Sequence, residues 1–344
     1  SAYIYRVLGA LALWLTADML WPARKRSSLL MAAFFLIYPG FLSQVNAVDF
    51  QAHLFSLMTA MLSLAASTRA IFEKRIGARI GLIVFAALTA WVYLGLMEYF
   101  IGIEVLRFAL IGILAWRTEA SLRRKANAFF RSAWPLLLAP LGFLIWRLFI
   151  FESERRATDV GAQLSALFFS PTTGLWWLIY LLQDTVNVLL AAWVIPLYNL
   201  AFTLRLRDFL PALLLGLFSA GIVLLVWKQL PAEDENSDWQ VEAFVAGFFA
   251  IAGGLFPVIL ANRHVNFSDY SRYTLPALAG AMLVTVAWLA LFKTQTARAA
   301  LMGFLIASAV MTHSANSVIA VQEAAATRNF WWQVAWRIPG LQPG

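Results

Sequence analysis

About eleven stretches of apolar residues, separated by short charged loops, fill nearly the whole of this 344-residue chain. That pattern constrains the fold more than any motif does. A hydrocarbon core about 30 Å thick needs around 20 residues of helix per crossing, and in lipid the backbone polar groups of such a segment must be satisfied within the helix itself. The chain therefore reads as an all-α protein, a polytopic transmembrane helical bundle of about 11 spans. The spans fall at 3–21, 29–41, 53–67, 80–97, 101–116, 134–151, 175–196, 209–227, 241–260, 273–292 and 299–312. Charged residues are only 13% of the chain, about half the share in a soluble domain, so no soluble domain is left over.

The net charge of +8 comes from Lys and Arg clustered between spans, where it sets orientation in the membrane, and a nucleic-acid partner is not implied. Arg24, Lys25 and Arg26, then Arg69, Lys74, Arg75 and Arg79, then Arg117, Arg123, Arg124 and Lys125 form the basic loops. They alternate with loops bearing Asp49, then Glu98, Glu104 and Arg107, then Glu152, Glu154, Arg155, Arg156 and Asp159. The basic set should face the cytoplasm. Continuing the count puts Arg205 and Arg207 inside and Glu233, Asp234, Glu235 and Asp238 outside. It then puts 263–272 inside and 293–298 outside, two loops with two basic residues each, between which the charge rule does not decide. With no cysteine, thiolate chemistry and Cys-based metal sites are excluded. The chain opens at Ser1 with no Met or signal-like region and reads as the middle of a longer protein. Two regions are expected: a bundle over 1–313 and an interfacial Trp-rich segment over 314–344, where Phe330, Trp331, Trp332 and Trp336 share helical spacing and suit the headgroup layer.

An ionisable group inside a span costs several kcal/mol, so it faces a cavity or a partner and is a candidate for function. Asp49 and His53 are four apart, on one helix face, beside Gln44 and Asn46; they could be a general base with its orienting partner, one half of a metal site, or a structural cap. Just upstream, Tyr38, Pro39, Gly40 and Phe41 predict a bent, partly unwound entry. Glu104 and Arg107 form an i, i+3 pair, which leaves Glu98 free. Arg147, near the outer end of its span, either snorkels outward or forks onto a phosphate. Asp184 and Asn187, mid-way along the seventh span, need either a cationic partner or a polar cavity. The loop 262–272 is the densest polar stretch between spans, and its Asp269 and Arg272 suit a phosphate or a sugar. No phosphate-cradling Gly loop, Zn motif or nucleophile elbow is present.

The runs Leu36-Ile37-Tyr38-Pro39-Gly40-Phe41 with Gln44, Tyr99 to Arg107, Trp146-Arg147 and Arg272-Tyr273-Thr274-Leu275-Pro276 resemble bacterial membrane proteins related to the GT-C glycosyltransferases. Phe330-Trp331-Trp332 through Trp336-Arg337, then Pro339-Gly340, fit the same group. The resemblance implies an outward-facing site that takes a sugar from a polyprenyl phosphate at the bacterial plasma membrane. Members usually carry their catalytic carboxylate in a large outer loop after the first span, and this chain has no such loop. On this reading Asp49, Glu98 and Asp269 are the acid, base or metal candidates. Arg107, Arg147 and Arg272 are candidates for the lipid phosphate, with Asp184, Gln44 and His53 as further substrate-binding residues. A divalent cation is left open. The rival classes are a lipid or small-molecule transporter using Asp184, Asn187 and the break near Pro39, and a non-enzymatic scaffold. Carboxylates clustered in one outward cavity would favour the first reading, a midplane cavity at Asp184 the second, and a closed bundle with every ionisable group paired the third.

Overall fold

A computed structural model describes residues 2–118, 120–151, 161, 165, 167, 169–202, 204–231, 233, 238–338 and 340. The described residues are mostly helical, with no strand among them. In chain order the helices are α1 (Ala2–Leu20), α2 (Lys25–Ile37), α3 (Ala47–Phe72), α4 (Ile76–Leu96), α5 (Ile103–Thr118), α6 (Leu122–Phe149), α7 (Pro171–Leu189), α8 (Ile195–Ala201), α9 (Leu206–Gln229), α10 (Trp239–Leu260), α11 (Leu278–Ala290) and α12 (Gln295–Arg337). Ten helical segments among the described residues are long and apolar enough to cross a membrane. The chain is an integral membrane protein with an all-α helical bundle.

Apolar side chains face outward along the bundle, as lipid contact requires: Leu88, Leu138, Leu182, Leu217, Phe218 and Phe249 are all exposed. The interior is built on small residues, since lipid supplies no hydrophobic drive between helices and close approach has to provide the attraction. A Cβ on Gly280 would lie 2.6 Å from the Ala250 Cβ and 2.7 Å from the Gly247 carbonyl, so α10 and α11 cross backbone to backbone. A Cβ on Gly254 would likewise lie 2.6 Å from the Pro276 carbonyl.

One end of the bundle gathers the basic loops. There Arg117 pairs with Glu242 and donates to the Leu20 carbonyl at 2.6 Å, while the Trp21 indole donates to Glu242 at 2.8 Å, tying α1, α5 and α10 together. Arg26 donates to the Leu230 carbonyl, and Glu233 accepts from the Ser27 amide at 2.9 Å and its hydroxyl at 2.6 Å, capping α2. The positive-inside rule puts this end, with Arg24, Lys74, Arg124 and Lys293, in the cytoplasm. On that rule this end is termed inner and the opposite one outer.

α2 spans 13 residues, about 20 Å, too short to cross alone. The chain completes the crossing through buried Tyr38, Pro39, Gly40 and Phe41 and a 3₁₀ turn, Leu42–Val45, the unwound entry expected from the sequence.

The loop count changes at α7. This helix comes in from the outer end, where the Val265 amide donates to Asp184 at 3.2 Å, and stops at a 3₁₀ turn, Ala191–Trp193. Trp193 packs edge-on to Phe34 and Tyr38, and its carbonyl accepts from Ser308, all at mid-depth. Pro196 then starts α8, which returns along α12, so α7 and α8 form a re-entrant pair. Consequently α9 starts at the outer end and descends: Leu215 lies beside His313 and Ser317, Leu224 beside Gly303, and Trp227 under the Arg26 guanidinium. Arg205 and Arg207 therefore sit at the outer end and Glu233 and Asp238 at the inner one, the reverse of the sequence count. Loop 263–272 is outer and Lys293 and Arg298 are inner. Asp234 and Glu235 lie outside the described residues, as do Glu152, Glu154, Arg155, Arg156, Asp159 and Pro339.

The C-terminal segment continues the helix that precedes it. α12 runs unbroken for 43 residues, about 64 Å, twice the hydrocarbon core. Its last buried residue is Asn316. Phe330, Trp331, Trp332 and Trp336 are exposed on its far end.

Candidate functional site

The polar residues singled out from the sequence separate into two groups, those that satisfy one another and those left unspent. Arg107 and Glu104 belong to the first. They are 2% and 5% exposed, and the pair closes at 2.7 Å. Tyr93 donates to Glu104, while Arg107 reaches the Ser63 hydroxyl at 2.8 Å and the Ser63 carbonyl at 3.1 Å. All of the cation's surroundings are protein, so the expectation that Arg107 holds a lipid phosphate is corrected: it is a structural tie between α3, α4 and α5. Glu98 is not free either, because Arg147 donates to it at 2.8 Å with the guanidinium 5.1 Å from the Phe151 ring centre. The two residues expected to act separately at the outer end form one ion pair, between α6 and the 3₁₀ turn Glu98–Gly102.

Gln44 is buried in a second network. It accepts from Arg6 and bonds His313 Nδ1 at 2.7 Å; Arg6 also donates to the Tyr38 carbonyl, and His313 Nε2 meets the Ile37 carbonyl at 2.9 Å. These bonds satisfy the carbonyls freed where α2 unwinds, an obligation lipid imposes on any broken helix. Arg6 is a cation inside the first span, the signal that could have marked it, but its partners are all more than 25 positions later in the chain and no local spacing marks them. Asp49 is exposed and accepts from the Asn46 side chain at 2.7 Å, while its own amide donates to that side chain at 3.4 Å, a cap for α3. Of the alternatives open for Asp49, a base beside His53, half of a metal site or a structural cap, this geometry is the cap.

The unspent groups lie on the outer loop between α10 and α11 and on the helix ends that face it. The Arg272 guanidinium sits over three rings, at 4.9 Å from Tyr273, 5.2 Å from Tyr270 and 6.0 Å from Phe50. Its polar contact is to the Asp269 carbonyl at 3.4 Å, and no carboxylate among the described residues lies within ion-pair distance. Tyr273 meets Tyr99 at 5.4 Å, and Tyr99 and Phe50 flank His53 at 6.3 and 5.3 Å between ring centres. The Tyr99 hydroxyl and His53 Nδ1 are buried with no hydrogen-bond partner. Tyr270 extends the row, stacked on Tyr273 at 5.7 Å and accepting from Arg263 at 3.2 Å. Asp269 is exposed on the same loop.

Against this loop stands Asp184 of α7, 0% exposed. Its Oδ2 accepts from the Val265 amide, and Asn187 donates to the Val265 carbonyl at 3.3 Å. His264 Nδ1 lies 3.7 Å from Asp184 Oδ2, and the imidazole packs on Tyr180 with centres 4.0 Å apart. Burial pushes the His264 imidazole below its ordinary value. No local spacing marks His264 as a candidate, because its neighbour Asp184 is on a different helix, far earlier in the chain.

The site is thus a strip of two guanidiniums and three tyrosines between His53 and His264, fit to contact an anion and the face of a ring. No group of three or more His, Asp or Glu residues positioned to hold a metal ion occurs among the described residues. No family model matches the chain, and no significant match to it was found among curated proteins or solved structures.

Proposed function

We propose that the chain is a GT-C-like membrane glycosyltransferase of the bacterial plasma membrane, using a polyprenyl-phosphate-linked sugar at its outer end. The observation that supports this reading is Arg272, a cation walled by aromatic rings, without a carboxylate partner among the described residues and beside the unpartnered polar atoms of Tyr99 and His53. An uncompensated guanidinium at a membrane surface is suited to a phosphate by charge and by its forked donors. Tyrosine faces alongside it suit the apolar face of a sugar ring. In the reaction an acceptor hydroxyl displaces the lipid phosphate from the anomeric carbon, and Arg272, with Arg263 nearby, offsets the charge that develops on the departing oxygen.

The test is release of polyprenyl phosphate from a radiolabelled polyprenyl-phosphate sugar by the chain in proteoliposomes, beside an Arg272→Gln variant. A drop of about 100-fold, the scale of losing one charge-stabilising donor, is expected. Equal donor binding and equal turnover in the variant would sink the reading. A flippase or transporter is favoured by one feature, the re-entrant pair α7 and α8. Asp184 weighs against it, since it is bonded to the outer loop and not at the midplane.

A further inference from the structure

The glycosyl-transfer reading lacks a base. Asp49 is occupied as a helix cap, Glu98 is paired with Arg147, and Asp269 is exposed on its loop. We propose that Asp184 and His264 form a carboxylate–imidazole pair in which His264 is the general base for the acceptor hydroxyl and Asp184 is its positioning residue. The inference rests on the glycosyl-transfer reading of the site.

Two buried atoms carry it. Asp184 Oδ1 and His264 Nδ1 are both enclosed without a hydrogen-bond partner, a cost that a purely structural carboxylate would have relieved. Asp184 Oδ2 already accepts the Val265 amide, which fixes the carboxylate against the loop that carries His264. The 3.7 Å gap between Oδ2 and Nδ1 is the long form of a catalytic hydrogen bond before substrate arrives. Once Asp184 holds the Nδ1 proton, Nε2 is the free lone pair, directed away from Asp184, and the side chain is 34% exposed. Tyr180 from α7 covers one face of the ring, and Arg263, next in the chain, is turned to Tyr270. The imidazole thus sits between the Asp184 carboxylate and an aromatic wall, on the loop that also presents Arg272.

The step balances. The acceptor oxygen forms the new bond to the anomeric carbon, the bond from that carbon to the phosphate oxygen breaks, and its electron pair leaves with the lipid phosphate. The hydroxyl proton passes to His264 Nε2 and from there to water. Asp184 stays ionised and steadies the imidazolium.

Two measurements on the full chain test this. First, nitrogen NMR of the ¹⁵N-histidine-labelled protein, whose three histidines are assigned with His53→Gln and His313→Gln variants, should find the His264 proton on Nδ1. Asp184→Asn should move it. A tautomer indifferent to Asp184→Asn overturns the pair whatever the turnover. Second, His264→Gln should lower turnover by about 100-fold or more, the usual contribution of a general base, with binding of the polyprenyl-phosphate sugar unchanged. Turnover within about threefold of wild type overturns the base role. Wild-type chain that binds donor and never turns over sinks glycosyl transfer itself and the base role with it. That failure is recognisable because it depends on neither side chain.

Discussion

Arg107 and Arg272 carry the same guanidinium into different situations, and the difference decides what each can do. Arg107 is enclosed by Glu104, Tyr93 and Ser63, so removing its partner leaves a buried charge with no solvent to turn to. Glu104→Gln should lower stability by about 3–5 kcal/mol, while Glu104→Met combined with Arg107→Leu should stand much closer to wild type. Thermal unfolding in detergent, followed by helical circular dichroism, measures both, and equal losses would remove the account of the pair as self-satisfied. The i, i+3 spacing made Glu104 and Arg107 legible in the sequence. Of the three rings around Arg272, Tyr270 and Tyr273 are its neighbours in the loop before α11, whereas Phe50 comes from α3 and no local spacing connects it. Asp184 illustrates the same limit. It reads as a carboxylate deep in a span, and only the return of the chain brings the Val265 amide and His264 to it.

At the scale of elements, glycine placement separates helix faces that touch each other from faces that touch lipid. A Cβ at position 280 has to fit against Ala250 and the Gly247 carbonyl, whereas one at Gly81, on α4, meets nothing within 4 Å. Gly280→Ala should therefore cost about 1–3 kcal/mol through overpacking. Gly81→Ala should be neutral or stabilising by up to about 1 kcal/mol, since it removes backbone freedom from a helix interior. The same unfolding experiment compares them, and a Gly280→Ala protein as stable as wild type would mean that α10 and α11 are not in backbone contact. The break of α2 at Pro39 and Gly40 was readable because a helix breaker sits inside an apolar run. The end of α7 carried the same kind of signal, Pro196, but hydrophobic length outweighed it: 175–196 has the residues to cross and does not, because Trp193 finds Phe34, Tyr38 and Ser308 at mid-depth.

For the molecule as a whole, that one turn inverts the sidedness of every later loop. This 344-residue chain has no cysteine, so single introduced thiols in it report sidedness without background. In intact cells a membrane-impermeant maleimide should label Arg205→Cys and leave Glu233→Cys untouched until the membrane is opened; the opposite pattern would mean that α7 crosses fully. Fold class and most spans were evident from apolar run length alone, whereas the topology of the last third needed the tertiary contacts of α7. The tie among Ser63, Tyr93, Glu104 and Arg107 bears on how such a molecule is made. Each contact of Arg107 belongs to its own helix or to a helix synthesised earlier. When α5 leaves the ribosome its charges are neutralised at i, i+3 and the receptors for the remaining donors are already in the bilayer. Insertion from the N-terminus onward therefore never leaves this cation waiting in lipid for a partner not yet translated.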